Sequence, residues 1–153
     1  MDNLHYFEEI TVPDQPPLLI LLDIDGTILP DTEEDASIEN TVREKAALLS
    51  GHHSIYLCTN GRDRDRAKRI ASKLGVALID SKHKKYSQKI LGDLPLGRNR
   101  QVLVIGDKIL TDGWLARKID AELYLVKRKC SGKERTLVRL GNFLNDAVTV
   151  ILS

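Results

Sequence analysis

The stretch from Leu18 through Asp23, Ile24, Asp25 and Gly26 to Leu29 constrains this chain more than any other. Pro16 and Pro17 break any helix ahead of it, and the apolar run that follows has the length of a strand. The run is apolar at every position, so it reads as a strand covered on both faces, as in a parallel sheet between helices. Two carboxylates, Asp23 and Asp25, stand one residue apart where that strand should end, and Gly26 lets the chain turn. Two acids so close repel each other, so the pair calls for a bound cation or for protonation of one partner. Alone, the motif reads equally well as a strand followed by an Asp-Gly turn. The rest of the chain shifts the balance.

With 153 residues the chain fits a single domain, 1–153, long enough to bury a core, with 1–17 as an N-terminal arm. Its 29% charged and 42% hydrophobic residues are those of an ordinary soluble protein. A net charge of +1 gives no global electrostatic argument for nucleic acid or an anionic membrane as partner. Cys58 and Cys130 form no disulfide framework and no signal peptide is recognised, so the expected location is cytoplasmic. No segment approaches the roughly 20 apolar residues that span a bilayer.

After an acidic loop (Asp31, Glu33, Glu34, Asp35) that reads as solvated, Ser37 is placed to cap a helix. Its buried positions are Ile38, Val42, Ala46 and Leu49, and Gly51 ends it. A strand from Ser54 to Cys58 leads to Thr59, Asn60, Gly61 and Arg62. The next helix carries the stripe Ala67, Ile70, Ala71 and Leu74, stopped by Gly75, and Val76 to Ile79 reads as a third strand. A helical stretch with Tyr86, Ile90 and Leu91 inward follows Lys82. Val102 to Ile105 is a clear strand ending in Gly106 and Asp107. A helix through Leu115 and Ile119, a strand at Leu123 to Val126, an amphipathic helix with Leu137, Leu140 and Leu144, and an edge strand or tail at 147–152 complete the pattern. Alternating strands and helices predict an α/β three-layer, Rossmann-like sandwich around a central parallel sheet.

In such sheets ligands sit beyond the carboxyl ends of the strands. Asp23 and Asp25, then Thr59, Lys82, Asp107 and Asp112 all fall there. Three or four acids, a hydroxyl and a lysine are what phosphoryl transfer to a carboxylate needs. A divalent ion removes the repulsion between an attacking aspartate and a phosphate dianion, and Mg²⁺ suits oxygen ligands. Amide groups of the Gly26 turn, the Thr59 hydroxyl and an ammonium can hold the phosphoryl oxygens.

Asp23-Ile24-Asp25-Gly26-Thr27, Thr59-Asn60-Gly61, Lys82 and Gly106-Asp107 with Asp112 resemble, in order, the four motifs of the haloacid-dehalogenase-like phosphatase superfamily. The resemblance covers roughly residues 18 to 128. It implies Asp23 as nucleophile, Asp25 as general acid/base, and Thr59, Asn60 and Lys82 on the phosphoryl group. It implies Mg²⁺ on Asp23, Asp107 and the backbone carbonyl of Asp25, with Asp112 supporting. The third motif departs from the family, whose lysine is often followed by proline. Here His83 follows Lys82, and Lys84 and Lys85 compete for the role.

The spacings narrow the subtype. Thr59 lies 34 positions after Asp25, and Lys82 lies 23 after Thr59. Neither gap has room for an inserted cap domain, so Asp23 is expected in an open cleft suited to a large or lipid-linked phosphate, or to a lid from another subunit. The fourth motif is similar to the capless subclass IIIA, the branch of phosphatidylglycerophosphate-phosphatase-like proteins. The expected function is a Mg²⁺-dependent phosphomonoester hydrolase with an aspartyl-phosphate intermediate. The alternative is a signalling or binding module that takes phosphate on Asp, or holds Mg²⁺ and phosphate, without turnover. Asp25 favours the enzyme, because a base beside the nucleophile activates the water that hydrolyses an acyl-phosphate.

Overall fold

The computed structural model describes residues 4–31, 33–97 and 100–131. Its centre is a five-stranded, all-parallel sheet flanked by helices. The elements in chain order are β1 (Leu19–Leu22), α1 (Asn40–Ser50), β2 (Ser54–Leu57), α2 (Arg64–Leu74), β3 (Ala77–Leu78), β4 (Val102–Gly106), α3 (Trp114–Lys118) and β5 (Glu122–Leu125). The strand order is β3-β2-β1-β4-β5. The chain therefore winds outward from β1 on one side, returns, and winds outward on the other. That reversal leaves a crevice beyond the carboxyl ends of β1 and β4, the place where open α/β sheets bind ligands.

β1 is central and all four of its residues are buried, as its unbroken apolar run requires. Its side chains alternate between two cores. Ile20 and Leu22 join Leu57, Ile105, Val42, Ala46 and Ile70 on the face covered by α1 and α2. Leu21 joins Cys58, Val104, Leu115 and Ile90 on the other. Leu22 pairs with Leu57 on one side and Ile105 on the other, so Asp23, Cys58 and Gly106 emerge level at the top of the sheet.

Several local expectations change. α1 begins at Asn40, and Ser37 lies in a preceding 3-10 turn where its hydroxyl donates to Glu33 at 3.2 Å instead of capping the helix. The acidic loop is clamped rather than solvated. Arg69 meets Glu34 and Asp35, each at 3.0 Å, and Lys73 meets Asp35 at 2.6 Å. The residues after Lys82 form only a short 3-10 segment, Gln88–Gly92, in which Ile90 is buried while Tyr86 stays exposed. The N-terminal segment contributes Phe7 and Val12 to the core before leading into β1. The expected helix with Leu137, Leu140 and Leu144 and the strand or tail at 147–152 lie outside the described residues. Among the described residues no helix is long and apolar enough to cross a membrane.

Candidate functional site

The strand ends bring the acids together. Asp23 follows β1 directly, and its amide donates to Ile105 of β4 at 2.9 Å. Asp107 follows Gly106, the last residue of β4, and a π-helical turn, Ile109–Gly113, carries Asp112 back over the strand end. Gly106 is required there, because a Cβ on it would lie 2.2 Å from an Asp112 carboxylate oxygen. Gly26 plays the same part for Asp107. It adopts φ +88°, and a Cβ on it would lie 2.4 Å from Asp107 Oδ2. Asp23, Asp107 and Asp112 are all buried, each with a carboxylate oxygen within 4.8 Å of the others.

Of the three lysines in this loop the expected one is Lys82, but it is Lys85 that reaches this cluster. Its Nζ lies 2.6 Å from Asp23 and 2.5 Å from Asp112, and its side chain is fully buried. Burial alone would lower the pKa of that ammonium, but the carboxylates of Asp112 and Asp23 outweigh it and hold the lysine charged. Lys82 is exposed and lines a cleft beside the Thr59 loop, and Lys84 donates to the Asn60 carbonyl. The Asn60 side chain is engaged as well, its Oδ1 accepting the Lys85 amide at 2.8 Å, so it fixes the loop that delivers Lys85.

Asp25 points elsewhere. Its Oδ1 accepts from Arg66 of α2 at 2.7 Å, and Thr59 Oγ1 lies 3.5 Å from its Oδ2. Burial raises the Asp25 pKa, and Arg66 partly opposes that rise. The backbone carbonyl of Asp25 accepts from Lys108 Nζ at 3.0 Å. The same ammonium lies 3.4 Å from Asp107 and 3.9 Å from Asp31. Arg128 donates to Asp107 Oδ2 at 2.6 Å, and Thr27 Oγ1 to Asp107 Oδ1 at 3.4 Å. Burial raises the Asp107 pKa, with Lys108 opposing. Asp112 spends one oxygen on Lys85 and the other on the Lys108 amide at 3.1 Å, and its burial likewise raises its pKa.

Five acids (Asp23, Asp25, Asp31, Asp107, Asp112) therefore meet four cations (Arg66, Lys85, Lys108, Arg128) at the top of the sheet. Buried charge costs more in desolvation than simple stability repays, so such a cluster points to function. No protein-family model, curated protein or solved structure matches the chain.

Two further expectations change. The amides of the Gly26 turn are spent internally: those of Thr27, Ile28 and Leu29 donate to the Ile24 carbonyl, and that of Gly26 to Leu29. Asp23 is not openly exposed, since its side chain is only 6% accessible. Arg66, Lys108 and Arg128 escaped the sequence reading. Arg66 had a legible signal, because Arg66, Arg69 and Lys73 recur at helical spacing and form a basic face toward the acidic loop. Arg128 had none, because only the pairing of β4 and β5 brings it to Asp107, and Lys108, although next to Asp107 in sequence, reaches Asp25 only through the pairing of β1 and β4. Cys58 is a buried apolar neighbour, its thiol pushed up to about 11 by burial, and no reactive group.

The donor set fits a hard divalent cation. It is all carboxylate oxygen, and two glycines let Asp107 and Asp112 come within contact distance of the backbone, where a Cβ would fill the space.

Proposed function

We propose that this protein is a phosphomonoester hydrolase of the haloacid-dehalogenase-like type, working through an aspartyl-phosphate on Asp23. The observation that carries the reading is the Lys85 ammonium bridging Asp23 and Asp112 beside Asp107, at the switch point of a parallel sheet. A carboxylate braced by a buried lysine is fixed in direction, as a nucleophile must be.

In this reading Asp23, Asp107 and the Asp25 carbonyl would hold Mg²⁺, with Asp112 bracing Lys85 and the turn. The bound ion supplies charge neutralisation between carboxylate and phosphate dianion. The Asp23 oxygen attacks phosphorus, the ester P–O bond breaks, and the protonated Asp25 gives its proton to the leaving oxygen. The raised pKa of Asp25 suits that duty, and Arg66 orients the carboxyl group. Water then attacks phosphorus and gives its proton to the Asp25 carboxylate. The acyl-phosphate bond breaks, releasing inorganic phosphate and restoring Asp23. Lys85 and the Thr59 hydroxyl stabilise charge on the transferring oxygens.

The sequence positions between Asp25 and Thr59 are spent on a 3-10 turn, α1 and β2, and those between Thr59 and Lys85 on α2 and β3. A capless site is part of this proposal. The experiment is hydrolysis of an aryl phosphate by purified protein with Mg²⁺ and with excess chelator. Turnover restored only by the metal supports the reading, and full activity in chelator sinks it.

A further inference from the structure

Beside the acidic centre lies a second feature that the reaction does not use. A cleft of about 350 Å³ opens on the outer side of the loop at Thr59, Asn60 and Gly61. Among the described residues five cationic side chains line it, those of Arg62, Arg64, Lys68, Lys82 and Lys84, against the single carboxylate of Asp80. For a chain whose net charge is +1, that is a strong local concentration of one sign. Asp80 is already met by Arg64 at 3.4 Å, and Lys84 is turned onto the Asn60 carbonyl. Arg62, Lys68 and Lys82 have no anionic partner among the described residues.

The cleft and the acidic centre share one wall. Thr59 lines the cleft, and its hydroxyl faces Asp25 and accepts the Gly61 amide at 3.0 Å. Gly61 keeps that wall thin, since a Cβ there would lie 3.2 Å from both Asp25 Oδ2 and Thr59 Oγ1. A molecule with a phosphoryl group at Asp23 and its leaving oxygen toward Asp25 would extend its remainder past Thr59 into the cationic cleft. An apolar remainder would gain little among these side chains, whereas a second dianion would meet guanidinium and ammonium donors with no other partner.

We propose that this cleft is an anion subsite, and that the preferred ligand is a small soluble phosphate ester carrying a second phosphate on its leaving group. The assignment of the first phosphate to the acidic centre rests on the hydrolase reading above.

The test reads binding rather than turnover, using phosphonates whose C–P bonds cannot be hydrolysed. Butane-1,4-bisphosphonate and butylphosphonate are titrated calorimetrically into the full-length protein with Mg²⁺, and then into an Arg62→Ala/Lys68→Ala variant. Both replaced side chains are exposed, so the fold does not depend on them. The bisphosphonate is expected to bind the unaltered protein on the order of tenfold more tightly than the monophosphonate. That advantage should disappear in the variant and shrink with added salt. Equal affinities, an advantage that survives in the variant, or binding of neither compound overturns the subsite. Hydrolysis of an aryl phosphate without bisphosphonate preference overturns the subsite alone. A preference without any hydrolysis supports the subsite and counts against the hydrolase.

Discussion

The Nζ of Lys108 donates to the backbone carbonyl of Asp25 at 3.0 Å while lying 3.4 Å from the carboxylate of Asp107. An ammonium of the chain itself thus sits between two oxygens that the proposed mechanism gives to a divalent cation. A bound divalent cation would compete with this ammonium for the same donors.

Lys108→Gln should therefore tighten Mg²⁺ binding by roughly tenfold or more, since a unit charge a few ångströms away is removed. Isothermal titration of Mg²⁺ at fixed ionic strength checks this without reference to activity. An unchanged or weaker affinity in the variant would place the cation elsewhere.

Lys85 and Lys82 should separate sharply in stability. Lys85→Met leaves Asp23 and Asp112 buried without their shared ammonium, and breaking a buried pair costs about 3–5 kcal/mol. Lys82→Met alters an exposed side chain and should stay within about 0.5 kcal/mol. Urea denaturation of both variants reads the difference. Equal midpoints would remove Lys85 from its bracing role.

That contrast also marks where the sequence was legible. The unbroken apolar run of β1, the helical stripe Ala67, Ile70, Ala71 and Leu74, and Gly75 in the left-handed conformation (φ +66°) are local signals, and each corresponds to an observed element. The acids at the strand ends were legible for the same reason, because a parallel sheet places the end of every strand on one side. Which lysine turns inward was not. Lys82, Lys84 and Lys85 occupy an irregular loop with no periodicity, and the choice is made by Asn60, 25 positions earlier, which holds the Lys85 amide. The contact of Arg128 with Asp107 and the reach of Lys108 to Asp25 depend on strand order, and strand order is invisible to local pattern.

A pH effect should arise away from the site. His53 Nδ1 accepts the Leu18 amide at 3.1 Å, which requires the ring nitrogen to be unprotonated. Burial, aided by His52, lowers the His53 pKa below its ordinary 6.5. The folded state thus binds fewer protons than the unfolded chain once the pH falls below about 6.5, and that contribution to stability, complete above this value, is lost progressively below it. The slope due to this group is at most about 1.4 kcal/mol per pH unit. His53→Asn should flatten that part of the curve in denaturation series between pH 7.5 and pH 5. The same slope in both proteins would assign the effect to other groups.

The division of labour between Asp23 and Asp25 is tested most directly by rapid-mix kinetics on Asp23→Asn and Asp25→Asn, with mass detection of phosphate on the chain. An amide at position 23 cannot form an acyl-phosphate, so Asp23→Asn should lose turnover with every ester. Loss of general acid assistance at position 25 should slow alkyl esters by about 10² to 10⁴-fold and activated aryl esters far less, because a phenolate needs little help to leave. In the proposed mechanism, hydrolysis of the acyl-phosphate also needs Asp25 as base. Asp25→Asn should therefore release a burst of one phenolate per protein and stall with phosphate on Asp23. Steady turnover of an alkyl ester by Asp25→Asn at the unaltered rate, or phosphate retained by Asp23→Asn, would contradict the account.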